Sequence, residues 1–147
     1  MNNTLEILFN GQQFKKLHDK KYHQILKKYD LTKLEIEILL FFENNKRYDT
    51  AKDIVDFKFL AKSHVSKAVT SLINNGYLCA KSDDHDRRCV HLKVSDDAKK
   101  VIKEATEIRN ELIGIIFRDI SVEEKRIMIN VAKKIASNIS DAIENDD

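Results

Sequence analysis

Apolar residues in this 147-residue chain recur mostly at spacings of three and four, the period of a helix with one buried face. The first stripe is Phe14, Leu17, His18, Tyr22, Ile25 and Tyr29, with lysines at 15, 16, 20, 21, 27 and 28 mostly off it. It predicts a helix over residues 3–29. Leu5, Leu8 and Phe9 add apolar surface near its start, and Gly11 is placed to loosen it there. Thr32-Lys33-Leu34-Glu35 has capping-box form, in which hydroxyl and carboxylate each satisfy an orphan backbone N–H. It opens a helix to about Glu43 whose core residues are Leu34, Ile38, Leu39, Phe41 and Phe42. After a turn at 44–47, Thr50-Ala51-Lys52-Asp53 opens a short helix with Ile54, Val55 and Phe57 directed inward. Val65, Val69, Leu72 and Ile73 give the apolar face of a longer helix from about Ser63 to Asn75, ended by Gly76 at a left-handed position.

Beyond Gly76 the pattern changes. Residues 77–80 and 89–92 are short runs able to pair, and the stretch 82–88 between them is polar enough to require an exposed loop. Ser95 then caps a helix with Asp96 and Asp97 in its first turn, where the helix dipole favours them. Val101, Ala105, Ile108, Leu112 and Ile115 form a heptad-like seam, and Gly114 near the end allows a close crossing or a bend. Ser121-Val122-Glu123-Glu124 is another capping box, opening a last helix with Met128, Val131, Ile135, Ile139 and Ala142 on one side. The acidic tail 144–147 is expected to fray. A short helix, a few residues and a longer helix make helix-turn-helix spacing. The fold class is mainly α with a small β-hairpin wing. One domain covers residues 1–147, with a winged helix-turn-helix lobe at 32–95 and flanking helical segments at 1–30 and 96–147. These long amphipathic helices offer more apolar stripe than a small winged lobe covers, and a second copy of the chain is the simplest partner.

Composition sharpens this picture little. Three glycines and no proline favour helix over tight turns. A formal net charge of +2 is too small to argue for nucleic acid, but its distribution is polarised. Residues 61–95 carry six basic against three acidic side chains, and residues 96–147 nine against twelve. The first residues lack the basic, apolar and cleavage regions of a signal peptide, and no apolar run approaches a membrane span. The expected location is the cytoplasm, with no membrane partner. There is no Gly-rich phosphate loop, GxSxG or HExxH, so an enzyme is not expected.

The chemistry that stands out lies between Lys62 and Ser95. Opposite its apolar face, the longer helix keeps Lys62, Ser63, His64, Ser66, Lys67 and Ser71, and the loop that follows carries Asp86, Arg87 and Arg88. A polar, basic helix face followed by a hairpin with arginines at its tip suits double-stranded DNA. The helix enters the major groove and the hairpin reaches backbone or minor groove. Ser63, His64 and Lys67 are placed for base edges; Lys62, Ser66 and Ser71 are placed for phosphates.

The same stretch resembles the winged helix-turn-helix of the MarR (multiple antibiotic resistance regulator) family. The family's Ser-x-Val-Ser-Lys/Arg core leading to Leu-x-x-x-Gly-Tyr/Leu appears as Ser63-His64-Val65-Ser66-Lys67 and Leu72-Ile73-Asn74-Asn75-Gly76-Tyr77. Its wing signature appears as Asp86-Arg87-Arg88, then Val90, Leu92, Val94 and Ser95, with no gap from Ser63 onward. The chain departs from the pattern at Cys79-Ala80 in the first wing strand and in having no glycine after Ser95. The resemblance implies a homodimeric repressor joined by intertwined terminal helices on a near-palindromic operator. It also implies a wing arginine in the minor groove, an aspartate bracing an arginine, and a small-molecule cavity between the dimer helices and the winged lobe. Phe14, His18 and Tyr22 would line that cavity.

Other chemistries weigh less. A transition metal needs three or four converging ligands, whereas His18 and His23 share no helix face and the remaining histidines lie at 64, 85 and 91. No metal or other cofactor is expected, and His85 is read as exposed polar filler. Cys79 and Cys89 fall on the two strands of one hairpin as possible neighbours, with two reduced thiols the default reading. The alternatives are a winged-helix protein-contact module, such as an anti-repressor or architectural partner, and a redox- or metal-sensing DNA binder.

Overall fold

The computed structural model describes residues 11–58 and 60–145. The elements run α1 (Gln12–Tyr29), α2 (Lys33–Asn44), α3 (Ala51–Lys58), α4 (Lys62–Asn74), β1 (Leu78–Ser82), β2 (Val90–Val94), a single 3-10 turn (Asp96–Ala98), α5 (Lys99–Ile116) and α6 (Val122–Asn145). The part of the first expected helix before Gly11, with Leu5, Leu8 and Phe9, lies outside the described residues, as do Asp146 and Asp147 of the tail. Gly11 itself is not helical. It precedes a helix, at φ 62°, a left-handed conformation that costs glycine little.

The capping chemistry forms as the sequence dictates. Thr32 Oγ1 accepts from Glu35 N–H at 3.2 Å while Thr32 N–H donates to the Glu35 carboxylate at 2.8 Å. Thr50 with Asp53 and Ser121 with Glu124 repeat the arrangement. Ser95 does not. Its Oγ donates instead to Gly76 O at 2.5 Å and its N–H to Tyr77 O at 3.0 Å, closing the base of the hairpin. The nearby hairpin carbonyls outcompete the helix start for that hydroxyl.

Residues up to Leu112 form one compact unit and residues from Ile113 form another. In the first, α2 is the centre, burying Ile36, Ile38, Leu39, Leu40, Phe41 and Phe42. Helix α4 packs on α2, α3 and β1, and β2 also meets α2. Ile54, Val65, Leu72, Leu78 and Leu92 complete the core beneath the winged lobe. Phe57 departs from its expected inward direction: it is 52% exposed, leaning on Tyr48 with ring centroids 4.5 Å apart.

Helices α1 and α5 run antiparallel in this unit. Lys21 meets Glu111 at 2.5 Å and Lys28 meets Glu104 at 2.7 Å, so a seven-residue step on one helix answers a seven-residue step on the other. Between the two ion pairs the Tyr22 hydroxyl donates to Ala105 O at 3.3 Å, and Tyr22 is 2% exposed. The stripe of α1 apart from Phe14, and most of the seam of α5, therefore enter the core of their own chain. In the second unit Phe117 receives Lys125 over its ring at 5.3 Å. No described residue of α6 is buried, and nothing among the described residues lies within 4 Å of where a Cβ would sit at Gly114.

Candidate nucleic-acid interface

Helix α4 presents its predicted face. Val65, Ala68, Val69 and Leu72 point into the core, which leaves Lys62, Ser63, His64, Ser66 and Lys67 exposed and Ser71 half-buried. Two shallow hollows flank it. One, of about 350 Å³, is lined by His64, Lys67 and Ser71 together with Thr32, Leu34 and Glu35 at the start of α2. The other, of about 360 Å³, sets Lys62 and Ser66 against Lys52 and Asp56 of α3. The helix ends at Gly76, φ 79°, where only a residue free of Cβ strain turns the chain directly into β1.

The strands pair antiparallel in the register Leu78 with Val94 through Ser82 with Val90. They begin and end slightly later than the sequence suggests, because Tyr77 is used in closing the hairpin base and Cys89 lies in the turn. This register separates the two cysteines. Cys79 stands opposite Lys93, whereas the Cys89 carbonyl accepts from Asp83 N–H at 2.9 Å. The four residue steps between them put them roughly 13 Å apart along the ladder, well beyond disulfide reach. Desolvation, followed by Asp83 and Asp86, raises the pKa of the Cys89 thiol and disfavours the reactive thiolate.

The wing tip, residues 83–89, is held from within. Asp83 Oδ1 accepts from the N–H groups of His85 and Asp86 at 2.8 and 2.9 Å. Asp86 Oδ1 accepts from Arg88 N–H at 3.0 Å and from Arg88 Nε at 3.5 Å, so the aspartate braces an arginine whose side chain is 95% exposed. Arg87 is exposed beside it. A third hollow, of about 380 Å³, joins Arg88 and Asp86 to Thr50, Ala51 and Lys52 at the start of α3. Lys52 thus faces both α4 and the wing; its position in a short helix start gave no such signal in sequence.

A second feature was not legible at all. His91 on β2 places Nδ1 at 2.9 and 3.0 Å from the two Asp49 oxygens and Nε2 at 2.8 Å from Asp83 Oδ2. Asp49 lies 42 residues away, in the turn before α3, and its carbonyl also accepts from Leu92 N–H at 2.7 Å. The hydrogen bond to His91 is the leading cause that holds the Asp83 carboxyl down at about 2. Asp83 and then Asp49 raise His91 above its ordinary value.

The three residues of the expected effector cavity sit apart from this surface. His18 and Tyr22 are buried and stacked, ring centroids 4.2 Å apart, while Phe14 is half-exposed with its ring 6.0 Å from His18. Burial lowers the His18 pKa, and its Nδ1 has no hydrogen-bond partner among the described residues. No group of three potential metal ligands converges among the described residues, and no described helix is long and apolar enough to cross a membrane.

Comparison with known proteins follows this geometry. The family model of the SarA/Rot transcriptional regulators matches residues 20–105, from within α1 through the winged lobe into α5. YwhA of Bacillus subtilis, an uncharacterized HTH-type transcriptional regulator, is 28% identical over 87 residues, which are 59% of this chain and 63% of that protein. The chain therefore spans less than two thirds of the curated relative it matches. A MarR protein from Peptoclostridium difficile superimposes with a TM-score of 0.76 at 25% identity, covering 96% of this chain and 90% of the other. A MarR-family regulator from Listeria monocytogenes, solved in complex with a 26mer DNA, gives 0.80 at 17% identity, covering 97% and 92%.

Proposed function

Because the chain belongs to the SarA/Rot family of transcriptional regulators, we propose that it binds DNA in a sequence-specific manner through α4 and the wing. The carrying observation is the pairing of an exposed basic helix face, Lys62 to Ser71, with a wing whose Arg88 is braced by Asp86. A guanidinium suits a narrow minor groove, being planar, weakly hydrated and always charged. Ser63, His64 and Lys67 take the base edges. Lys62, Ser66 and Ser71, with Lys52, take phosphates.

The active species in this reading is a homodimer. Met128, Val131, Ile135 and Ile139 are all exposed on one side of α6, the stripe a second copy would cover. Residues 32–95 are then the DNA lobe and the terminal helices the assembly region, α6 foremost. Two lobes meet a near-palindromic operator with half-sites about one turn, roughly 35 Å, apart. Its output is repression relieved by a small molecule. The buried His18 Nδ1, without a partner among the described residues, and the exposed Phe14 ring beside it support an effector with one polar group and an aromatic face. Such an effector acts by favouring a lobe spacing that no longer fits successive major grooves.

Fluorescence anisotropy on labelled DNA from upstream of the chain's own gene, against a scrambled control across a salt series, tests the core of this reading. Tight binding to the first alone, weakening steeply with salt as phosphate contacts release counterions, is expected. Equal, weak binding to both overturns it.

A further inference from the structure

We propose that His91 is a positioning residue, a protonation-dependent strut that fixes the wing against the helix-turn-helix body and so sets where Arg88 meets DNA. The proposal rests on the reading of the wing as a DNA contact, and its geometry is independent of that reading. A neutral imidazole carries one N–H and can donate on one side only. Here both ring nitrogens face carboxylates at 2.8 to 3.0 Å, Asp49 from the turn before α3 and Asp83 from the wing turn. Only the doubly protonated ring donates to both. The same Asp83 uses its other oxygen to organise the turn through His85 and Asp86, and Asp86 in turn holds Arg88. A chain of contacts therefore runs from the loop before α3, through His91, to the arginine at the wing tip.

The surrounding charges favour the protonated state. Asp49 and Asp83 face the ring directly, Asp53 on α3 and Asp86 in the turn add negative charge around the adjacent Cys89, and Lys81 stands opposite His91 in the ladder. The His91 pKa is raised above 6.5, so its contribution is fully present below that value and is lost as pH rises through the raised one. Asp83, held at about 2, contributes above its ordinary 3.8 and is lost only as pH falls through about 2. The strut thus holds between the depressed Asp83 value and 6.5, and lets go as pH rises through the raised His91 value. Loosening the wing lets Arg88 sample many positions, so DNA binding then has to order it first.

Hydrogen exchange on the free full-length protein, corrected for intrinsic rates and read at wing amides 83–91, tests the strut without DNA. Protection is expected to fall between pH 6 and pH 9 in the wild type and to be low and flat in His91→Gln. In Asp49→Asn, which keeps the ring and an acceptor oxygen but removes one carboxylate charge, the fall should move to lower pH. DNA affinity supplies the second arm. His64 and His85 also stand on the proposed DNA face, so the readout is the difference between the wild-type and His91→Gln pH profiles. The wild type should lose on the order of threefold more affinity over the same range. Identical protection in wild type and His91→Gln overturns the strut. Protection that tracks pH alongside parallel affinity profiles overturns its control of DNA reading. Arg88→Ala separates the premises: wild-type affinity in that variant, with exchange still tracking pH, removes the wing's DNA contact and leaves the strut standing.

Discussion

Helices α5 and α6 are successive in sequence and each carries an apolar stripe at three- and four-residue steps, yet they end in opposite states. Val101, Ala105 and Leu112 of α5 are buried against their own chain, with Lys21–Glu111 and Lys28–Glu104 flanking the contact. The stripe of α6 has Ile139 at 55% and Val131 at 48% exposure. Amphipathicity announces that a face needs covering; it does not say by what. For α5 the partner is written in α1, whose lysines and Tyr22 repeat at the matching step. For α6 no described segment of the chain supplies such a match, which is why the proposed second copy matters.

The largest effect that would sharpen this contrast is in the covered helix. Leu112→Ala should cost about 2–5 kcal/mol in urea unfolding by opening a cavity in the core, and the loss should be the same at every protein concentration. Ile139→Ala should instead destabilise more as the protein is diluted; concentration-independent behaviour would make α6 a face with no partner copy. Next in size, Ile135→Glu should convert the species seen in sedimentation to monomer and weaken operator binding roughly 100-fold through lost bivalency. A variant that stays dimeric breaks the comparison at its root.

Smaller effects lie in the charged groups. Arg88→Ala or Arg87→Ala should lower DNA affinity and reduce the salt slope by about one phosphate contact while leaving the unfolding midpoint unchanged. Unaltered affinity and slope in both removes the wing assignment. Smallest of all is Glu104→Gln. Hydrogen bonds from Lys28 and then Tyr29 depress the Glu104 pKa below 4.5, so its stabilisation is present above that value and is lost as pH falls through the depressed one. The substitution should flatten the acid limb of the stability profile slightly, and high salt should erase the difference.

What could be read in the sequence follows the same division. Local chemistry was legible: three capping boxes, the left-handed Gly76 and the face of α4 each depend on residues within four positions of one another, where side chain and backbone settle the outcome. Long-range choices were not. Ser95 has the form of a helix cap, but the hairpin brings Gly76 O within its reach. Phe57 reads as inward in an alternating pattern, yet α3 is short and Tyr48 offers it a surface partner. Cys79 and Cys89 read as neighbours until the register is known, and a ladder begun one residue later changes every cross-strand pair. His91 falls in the winged stretch with no role legible in sequence, since its partners come from two separate turns. In the candidate site, then, the residues that would touch DNA were visible and the group that holds them was hidden.

The closure of the hairpin at Gly76, Tyr77 and Ser95 has one more implication, for how such a chain can be altered. Register is pinned at the base, so the ladder does not depend on the length of the tip at residues 83–89. Lengthening a loop costs only slowly growing closure entropy, about 0.6 kcal/mol per doubling. With Asp83 kept for its contact with His91, the rest of the tip is therefore a module: its length and sequence can be exchanged to reach differently shaped grooves, while strand pairing and the helical body below keep their place.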